Sequence, residues 1–268
     1  MATLVCFHAH PDDEAISTGG LMVAAAAAGH RVVLVCATRG ECGEPQPGVL
    51  RDGEPLWERR MIELDDSARI LGAEKPVWLG YEDSGMAGEK SNLNPACLWQ
   101  SDHDEASGRL ADILTEVGAD VLTIYDEHGG YGHPDHIRVH TIGKAAATIA
   151  GVDNVYEATL NRDHLRKLIA LQQELAAAND EVAEDPGIDI ETAGTPRSGI
   201  AYRIDVAAAT AAKRAAMAAH ASQIASDSFF LTMPTEQFAM VFGSEWFNIP
   251  GAAPGVGPVD VDLLPGLG

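Results

Sequence analysis

Short apolar runs alternate with helix-like stretches along roughly the first 160 residues, and this alternation is the strongest constraint on the fold. Each apolar run has the length of a buried strand and is bounded by glycine, proline or charged residues. The runs are 4–7, 31–37, 76–79, 120–125 and 154–159. The stretches between them end at glycine, which commonly terminates helices, and cover 15–28, 56–71, 105–117 and 135–150. This order predicts an α/β fold: a Rossmann-like, mostly parallel sheet with helices on both faces.

The chain is long enough for one large α/β domain, and neither a repeat nor a second core is evident. A single domain over residues 1–268 with a C-terminal extension is therefore predicted. Residues 165–195 are rich in alanine and acidic side chains and are interpreted as a helix followed by an acidic insertion or flap. Residues 201–206 and 207–222 are predicted to form a strand and a helix. The Pro- and Gly-rich residues 249–268 predict an irregular tail.

The charge of the chain narrows the range of partners. There are 18 Lys and Arg against 40 Asp and Glu, a net charge of −22 at pH 7. Such a charge repels phosphate backbones and anionic lipids, so neither a nucleic acid nor a membrane is expected as a partner. No apolar run is long enough to span a bilayer, and no basic region precedes the first apolar run. The four cysteines lack CxxC spacing and are interpreted as reduced, which predicts a cytoplasmic protein.

Two clusters of histidine and carboxylate follow the first and fourth predicted strands. They are the sequences His10-Pro11-Asp12-Asp13-Glu14 and Tyr131-Gly132-His133-Pro134-Asp135-His136. Ligands of an open parallel sheet bind at the carboxyl ends of the strands, near the point where the strand order reverses. Both loops are therefore expected at one edge of the sheet.

The second cluster places two imidazoles on one helix face. Pro134 suits the first helical position, so His133 is a cap residue and His136 lies one turn further along. Together with His10 and one carboxylate of the Asp12-Asp13 pair, these side chains predict a divalent-metal site of two histidines and one carboxylate. Open positions on such a metal are typical of a catalytic site, and the second carboxylate is then free to accept a proton.

The same residues allow several other interpretations. His136 and His140 have the spacing of a metalloprotease pair, but Ile137 stands where that motif has glutamate. A nucleotide-binding site is not favoured, because no G-x-G-x-x-G motif follows the first strand. A non-haem iron oxygenase is not favoured either, because such enzymes usually have an antiparallel barrel and the predicted sheet is parallel. A non-catalytic metal- or sugar-binding module remains an alternative, against which the spare carboxylate argues. The other histidines are interpreted as packing or surface residues: His8, His30, His103, His128, His164 and His220.

These motifs resemble the PIG-L/LmbE-like family of zinc-dependent N-deacetylases. The similarity is widest with the actinobacterial branch that holds the mycothiol-biosynthesis deacetylase and the mycothiol conjugate amidase. Beyond the two clusters it includes 38–41, Arg60 with Glu63, 83–86 and 220–223. By this resemblance His10, Asp13 and His136 would bind Zn²⁺, with Fe²⁺ as the alternative metal, and Asp12 would be the general base.

The resemblance also implies roles for five further residues. His133 would stabilise the oxyanion and protonate the leaving amine, Asp135 would orient or tune His133, and Tyr131 would be a mobile residue near the scissile amide. Arg60 and Asp83 would contact the sugar. The alternatives are a helix-surface pair of Arg60 with Glu63 and a turn-forming role for Asp83.

The implied activity is removal of an N-acetyl group from a small molecule that contains N-acetylglucosamine. A GlcNAc-inositol or a glycosylated natural product would fit the charge of the chain better than a phosphoinositide lipid. The alternative is an amidase that cleaves a larger acyl group from a mycothiol-type S-conjugate. The expected partner is thus a small amino sugar, and the sequence leaves both acyl size and homo-oligomer formation open.

Overall fold

A sheet of mixed strand direction forms the centre of the molecule. The computed structural model describes residues 1–178 and 189–268. The strands are β1 (Thr3–His8), β2 (Arg31–Cys36), β3 (Val77–Trp78), β4 (Val121–Tyr125), β5 (Asn154–Thr159), β6 (Tyr202–Asp205), β7 (Ser244–Asn248) and β8 (Val259–Val261). Within these residues they form one eight-stranded sheet in the order β3-β2-β1-β4-β5-β7-β6-β8.

Most neighbouring strands in this sheet are parallel. β3, β2, β1, β4 and β5 all run in the same direction. β7 is antiparallel to β5 and to β6, and β8 is parallel to β6. The predicted Rossmann-like, mostly parallel sheet is confirmed, with an additional antiparallel strand near one edge.

Helices cover both faces of the sheet, as predicted. In the described residues they are α1 (Asp13–Ser17), α2 (Gly19–Ala27), α3 (Leu56–Leu71), α4 (His103–Val117), α5 (Gly129–Gly132), α6 (Pro134–Ala150), α7 (Arg162–Ala178), α8 (Thr210–Ala219), α9 (Phe229–Thr232) and α10 (Thr235–Phe242). Leu4 and Cys6 of β1 join an apolar core with α2, α3 and α8. Val5 and Phe7 point to the opposite face and join a second core with α4 and α6.

Local sequence sets the ends of the long helices. Gly72, Gly118 and Gly151 end α3, α4 and α6 in the left-handed conformation, with φ of 79°, 65° and 72°. Pro134 opens α6, and the backbone N–H of Asp135 donates to Nδ1 of the N-cap residue, 3.1 Å away. This local hydrogen bond orients the imidazole of His133 at the sheet edge without help from residues distant in the sequence.

Two of the predicted helices have different bounds. The helix predicted over 15–28 is wrong at Thr18, where φ is −135° and the chain divides into α1 and α2. The Thr18 hydroxyl is 2.8 Å from His8 Nε2, a buried contact that competes with helical geometry. The helix predicted over 207–222 begins with a 3₁₀ turn, Ala207–Ala209, and its α-helical part is α8.

The C-terminal region contains elements that the sequence did not reveal. β7 was missed because it has a charged residue, Glu245, at an inward position. The prediction of an irregular tail over 249–268 is wrong for β8, which pairs with β6. α7 agrees with the helix expected near residue 165, whereas most of the predicted flap lies outside the described residues. No helix in the described parts of the chain is long and apolar enough to cross a membrane.

A buried ion pair connects α8 to β7 and α2. Lys213 Nζ lies 2.5 Å from Glu245 Oε1, and both side chains are almost fully buried. The carboxylate also accepts the backbone N–H groups of Gly20 and Leu21 in the first turn of α2. Replacing Lys213 by an uncharged residue would leave the buried carboxylate of Glu245 without its counter-ion.

Lys213→Met is therefore expected to lower the free energy of unfolding by about 3–5 kcal/mol. Urea denaturation followed by circular dichroism measures this change. The exposed Lys75→Met is the matched control and should change the free energy by less than about 0.5 kcal/mol. Equal effects of the two substitutions would contradict the assignment.

Candidate metal and catalytic site

Residues from three loops meet at the carboxyl ends of the central strands. The loop after β1 is adjacent to the loop after β4, because the strand order reverses between these two strands. The loop after β3 closes a third side. A cavity of about 220 Å³ opens there, and its lining includes His10, Asp12, Asp13, Asp83, Tyr131 and His133.

Asp13 lies between the two predicted histidine ligands. Its Oδ2 is 3.4 Å from His10 Nδ1 and 3.3 Å from His136 Nε2. In a tetrahedral site with metal–ligand bonds of roughly 2.0–2.1 Å, neighbouring ligand atoms are about 3.3–3.4 Å apart. Burial opposes ionisation of Asp13, but the two imidazoles hold its pKa well below the usual range. Both distances to Asp13 are therefore compatible with a shared divalent cation.

The ring of His136 is oriented as a ligand. Its Nδ1 is 3.2 Å from the carbonyl oxygen of Gly129, which can only accept, so Nδ1 carries the proton. The ring stacks on Tyr125 with 4.2 Å between centroids. Nε2 is buried and has no hydrogen-bond partner among the described residues. An unprotonated, unpartnered imidazole nitrogen beside a carboxylate is the donor that a metal would use.

The carboxylate of Asp135 contacts His10 and not the ring of His133. Its carboxylate accepts from the backbone N–H and the hydroxyl of Ser84 and lies 3.2 Å from His10 Nε2. Asp135 acts on His133 in two other ways: its backbone N–H donates to the ring, and its charge raises the pKa of His133 against the larger effect of burial. A carboxylate on the remaining nitrogen of a histidine ligand is a common feature of metal sites, where it fixes the ring.

Asp12 has an unusual backbone and a shifted pKa. Its φ is 110°, the single positive φ of a non-glycine residue in the described parts of the chain. Such a conformation costs about 1–3 kcal/mol and tends to occur at functional sites. Burial raises the pKa of Asp12 to about 6, although the Arg60 guanidinium, 3.1 Å from Oδ2, acts in the opposite direction. The carboxylate remains ionised at pH 7.

Arg60 and Asp83 are both buried at the cavity wall. Arg60 donates to the carbonyls of Pro11 and Gly40 as well as to Asp12, so its charge is engaged within the protein. The alternative surface pair with Glu63 is wrong, because Arg60 is 4% exposed and contacts Asp12 instead.

Asp83 keeps a turn-forming role while facing the cavity. Its Oδ1 accepts from Gly85 N–H and is 3.5 Å from His10 Nε2. Burial raises its pKa, but His10 and the backbone donors more than offset this and keep it low. The carboxylate is therefore charged.

His133 is a neutral donor at the opposite wall. Burial is the main cause that lowers the pKa of His133 to about 4, and the neighbouring imidazoles of His10 and His136 act in the same direction. Because Nδ1 accepts the Asp135 N–H, the ring proton is on Nε2. A neutral ring favours the oxyanion-stabilising part of the predicted role over the acid part. Tyr131, 46% exposed on the short helix α5, is 6.3 Å from the His133 ring between centroids.

Other groupings of ligand atoms also occur near His10. Nitrogens of His10, His133 and His136 lie within 4.8 Å of one another, as do ligand atoms of His10, Asp83 and Asp135. His140, weighed as a partner of His136, is turned away: its Nδ1 contacts the Tyr125 carbonyl. The choice between Asp13 and His133 as a ligand can be tested by metal content.

Sequence reasoning missed two polar side chains that support the site. Ser84 binds the carboxylate of Asp135, and Glu14 accepts the backbone N–H of Asp12 at 2.9 Å. Both are adjacent to predicted site residues in the sequence, but Ser84 has its partner 51 positions away, and Glu14 turns back to the backbone two positions before it. The available sequence signal was that Ser84 and Glu14 are next to predicted site residues. This position does not show in which direction their side chains point.

The family model for PIG-L, described as GlcNAc-PI de-N-acetylase, matches residues 5–147. The chain belongs to this family. A relative from Nocardiopsis dassonvillei, a 1D-myo-inositol 2-acetamido-2-deoxy-alpha-D-glucopyranoside deacetylase, is 37% identical over 97% of this chain and 99% of its own. The resemblance to this family expected from the motifs is thereby confirmed.

Solved structures share the fold at low sequence identity. N,N'-diacetylchitobiose deacetylase from Pyrococcus horikoshii has a TM-score of 0.58 and 23% identity, covering 93% of this chain and 84% of that chain. A 4-carboxy-2-hydroxymuconate hydratase from Pseudomonas putida has a TM-score of 0.57 and 17% identity, covering 96% and 100%. Because a hydratase shares the fold, function has to be argued from the site.

Proposed function

We propose that the protein is a metal-dependent N-deacetylase that hydrolyses the acetamide of an N-acetylglucosamine glycoside. The observation that carries this proposal is the carboxylate of Asp12, held by Arg60 at the wall of the cavity beside His10, Asp13 and His136. A binding module has no need of a base next to its ligands. The related deacetylase of Nocardiopsis makes a GlcNAc-inositol the first substrate to test.

His10, Asp13 and His136 are the proposed ligands of a divalent metal, Zn²⁺ or Fe²⁺. Such a cation supplies Lewis acidity to an amide carbonyl and acidifies water. Imidazole and carboxylate donors suit either metal. Asp135 and Asp83 face the outer nitrogen of His10 and keep this ligand in one orientation.

Asp12 is the proposed general base. Its carboxylate takes a proton from the attacking water as the water oxygen bonds to the carbonyl carbon. When the C–N bond breaks, the same proton passes to the leaving nitrogen, so that acetate and a free amine are released. Asp12 can perform both transfers because a pKa near 6 allows it to gain and lose a proton close to neutral pH.

His133 is the proposed donor to the amide oxygen. Negative charge develops on that oxygen during attack, and a fixed N–H stabilises it more than it stabilises the ground state. The cap hydrogen bond to Nδ1 fixes the ring, and the proton on Nε2 is available to substrate. Tyr131, whose ring centroid is 6.3 Å from that of His133, can supply its hydroxyl as a second donor; partial burial together with the charge of Asp13 raises its pKa, so it stays protonated.

The proposal is tested by amine release from a panel of N-acetylglucosaminides that includes the inositol-linked compound. The protein is assayed as purified, stripped of metal, and refilled with Zn²⁺ or Fe²⁺. Release that chelation abolishes and metal restores is expected. If no amine is released by protein that holds one metal per chain, larger acyl conjugates become the substrates to test. If no amine is released and no metal is bound, the proposal is refuted.

His133→Ala is expected to lower kcat by about 10²–10³-fold, the effect of a lost oxyanion donor. Metal content should stay at the wild-type value, measured by atomic emission. His133→Gln restores an N–H donor and should recover part of the activity. Metal loss in the alanine variant would instead make His133 a ligand.

The pH profile of kcat/KM should have an acid limb set by Asp12. The base acts only when ionised, so activity falls as pH drops through a pKa of about 6. A bound cation nearby favours the ionised form, which places the limb at or below that pH. Initial rates over a pH series measure it. An acid limb well above pH 7 would contradict the assignment.

A further inference from the structure

Glu14, which the proposed mechanism does not use, is a fully buried carboxylate next to the predicted base. Its Oε1 is 2.7 Å from His220 Nε2 and accepts the hydroxyl of Ser67 at 2.5 Å. Its Oε2 accepts the backbone N–H of Asp12 at 2.9 Å. One carboxylate therefore joins α3 and the end of α8 to the loop that carries Asp12.

The backbone N–H that donates to Glu14 belongs to Asp12, the residue with the strained backbone conformation. Asp12 has a φ of 110°, a conformation that persists where surrounding contacts determine it. Glu14 binds the backbone of this residue and Arg60 binds its carboxylate. The two contacts together fix both the position of Asp12 and the direction of its side chain.

His220 provides the partner that lets Glu14 stay charged in the interior. Both side chains have no solvent exposure. A buried carboxylate is unfavourable unless it is paired and hydrogen-bonded, and His220 is the imidazole that reaches it. Ser222, two residues on, donates to Glu63 of α3 and anchors the turn that presents the ring.

We propose that Glu14 and His220 are a positioning pair that holds Asp12 in its strained conformation, aimed into the cavity for proton transfer. Neither residue lines the cavity, so neither is a catalytic residue. The inference rests on the proposed function because it assigns a task to Asp12. It also gives a role to the segment 220–223, which lies outside the matched family region.

The first test compares Glu14→Gln with wild type as zinc-loaded enzymes. A displaced base lowers the rate of proton transfer and leaves substrate binding intact. We expect kcat to fall by about 10–100-fold, since a misplacement near 1 Å can cost that much, while KM changes by less than about twofold. Zinc content should be unchanged.

Glu245→Gln is the matched control for general destabilisation. Glu245 is likewise a buried carboxylate paired with a buried cation and two backbone N–H groups, but it is not part of the cavity lining. A comparable loss of thermal stability with wild-type kcat is expected. A kcat that falls in both variants in proportion to stability would overturn the proposal.

The His220 variants separate the hydrogen bond from packing. His220→Gln keeps an N–H donor near the position of Nε2 and should retain most of the activity, whereas His220→Leu should lose kcat as Glu14→Gln does. Equal activity of the two variants would overturn the pairing.

A crystal structure of Glu14→Gln tests the proposal without any assay. Asp12 is expected to leave its positive φ and to separate from Arg60. If both features persist unchanged, the pair does not position Asp12 and the proposal is wrong. This result is independent of whether wild-type protein deacetylates any substrate, so failure of the proposed function is recognised separately.

Discussion

Replacing Asp12 by asparagine or alanine is expected to reduce kcat by about 10²–10⁴-fold, the contribution of a general base, while metal content stays the same. The carboxylate is charged, lies beside the proposed ligands and is held at 3.1 Å by Arg60. Two other carboxylates at the cavity have different tasks: Asp13 is a proposed ligand, and Asp83 accepts the backbone N–H of Gly85.

The backbone at Asp12 makes glycine the sharpest control. Alanine is strained at a φ of 110°, so Asp12→Ala combines loss of the base with loss of local geometry. Asp12→Gly removes the strain as well as the carboxylate. The glycine variant is expected to be more stable than the alanine variant and, if the base assignment is right, as inactive as the asparagine variant. Turnover near wild type in either would show that another group takes the proton.

His136→Ala is expected to lose the metal and with it almost all activity. Two proposed ligands would remain, and the buried nitrogen that faces Asp13 at 3.3 Å would be gone. We expect substoichiometric zinc after dialysis, measured by atomic emission, and a fall in kcat/KM of more than about 10³-fold. Excess zinc in the assay should restore part of the activity.

The matched control for this variant is His140→Ala. His140 is on the same helix, one turn further, and its ring contacts the Tyr125 carbonyl and Glu157 instead of the cavity. This variant should keep one zinc per chain and retain its turnover. Stoichiometric metal in His136→Ala, or metal loss in His140→Ala, would reassign the ligands.

The sheet edge could be predicted from the sequence because local patterns carried the information. Apolar runs bounded by glycine gave the parallel strands, and the rule for open sheets put the two His/Asp loops together. β7 was missed since Glu245 interrupts its apolar pattern, and that charge is buried because Lys213 reaches it from α8. The local sequence of β7 does not contain Lys213, so it could not indicate that the charge of Glu245 is paired.

Within the site, residue types were predictable and pairings were not. The sequence shows that Asp135 follows His133 and Pro134, but the carboxylate turns to His10, which is 125 positions earlier. Arg60 was expected at substrate or on the helix surface; it lines the cavity, and its contact with Asp12 was not predicted. These contacts depend on how loops from separate crossovers approach each other, which is determined by packing of whole helices.

The contact between Glu14 and His220 spans 206 positions, and it has a consequence for synthesis of the chain. The loop at residues 10–14 is synthesised before His220, so this partner of Glu14 becomes available only after the 206 positions between them have been crossed. Such a long closure is formed late, after the parallel strands have paired. A nascent chain or a fragment that ends near residue 150 would therefore hold the metal-binding side chains but lack a correctly set base, and hydrolysis would begin only when α8 has docked.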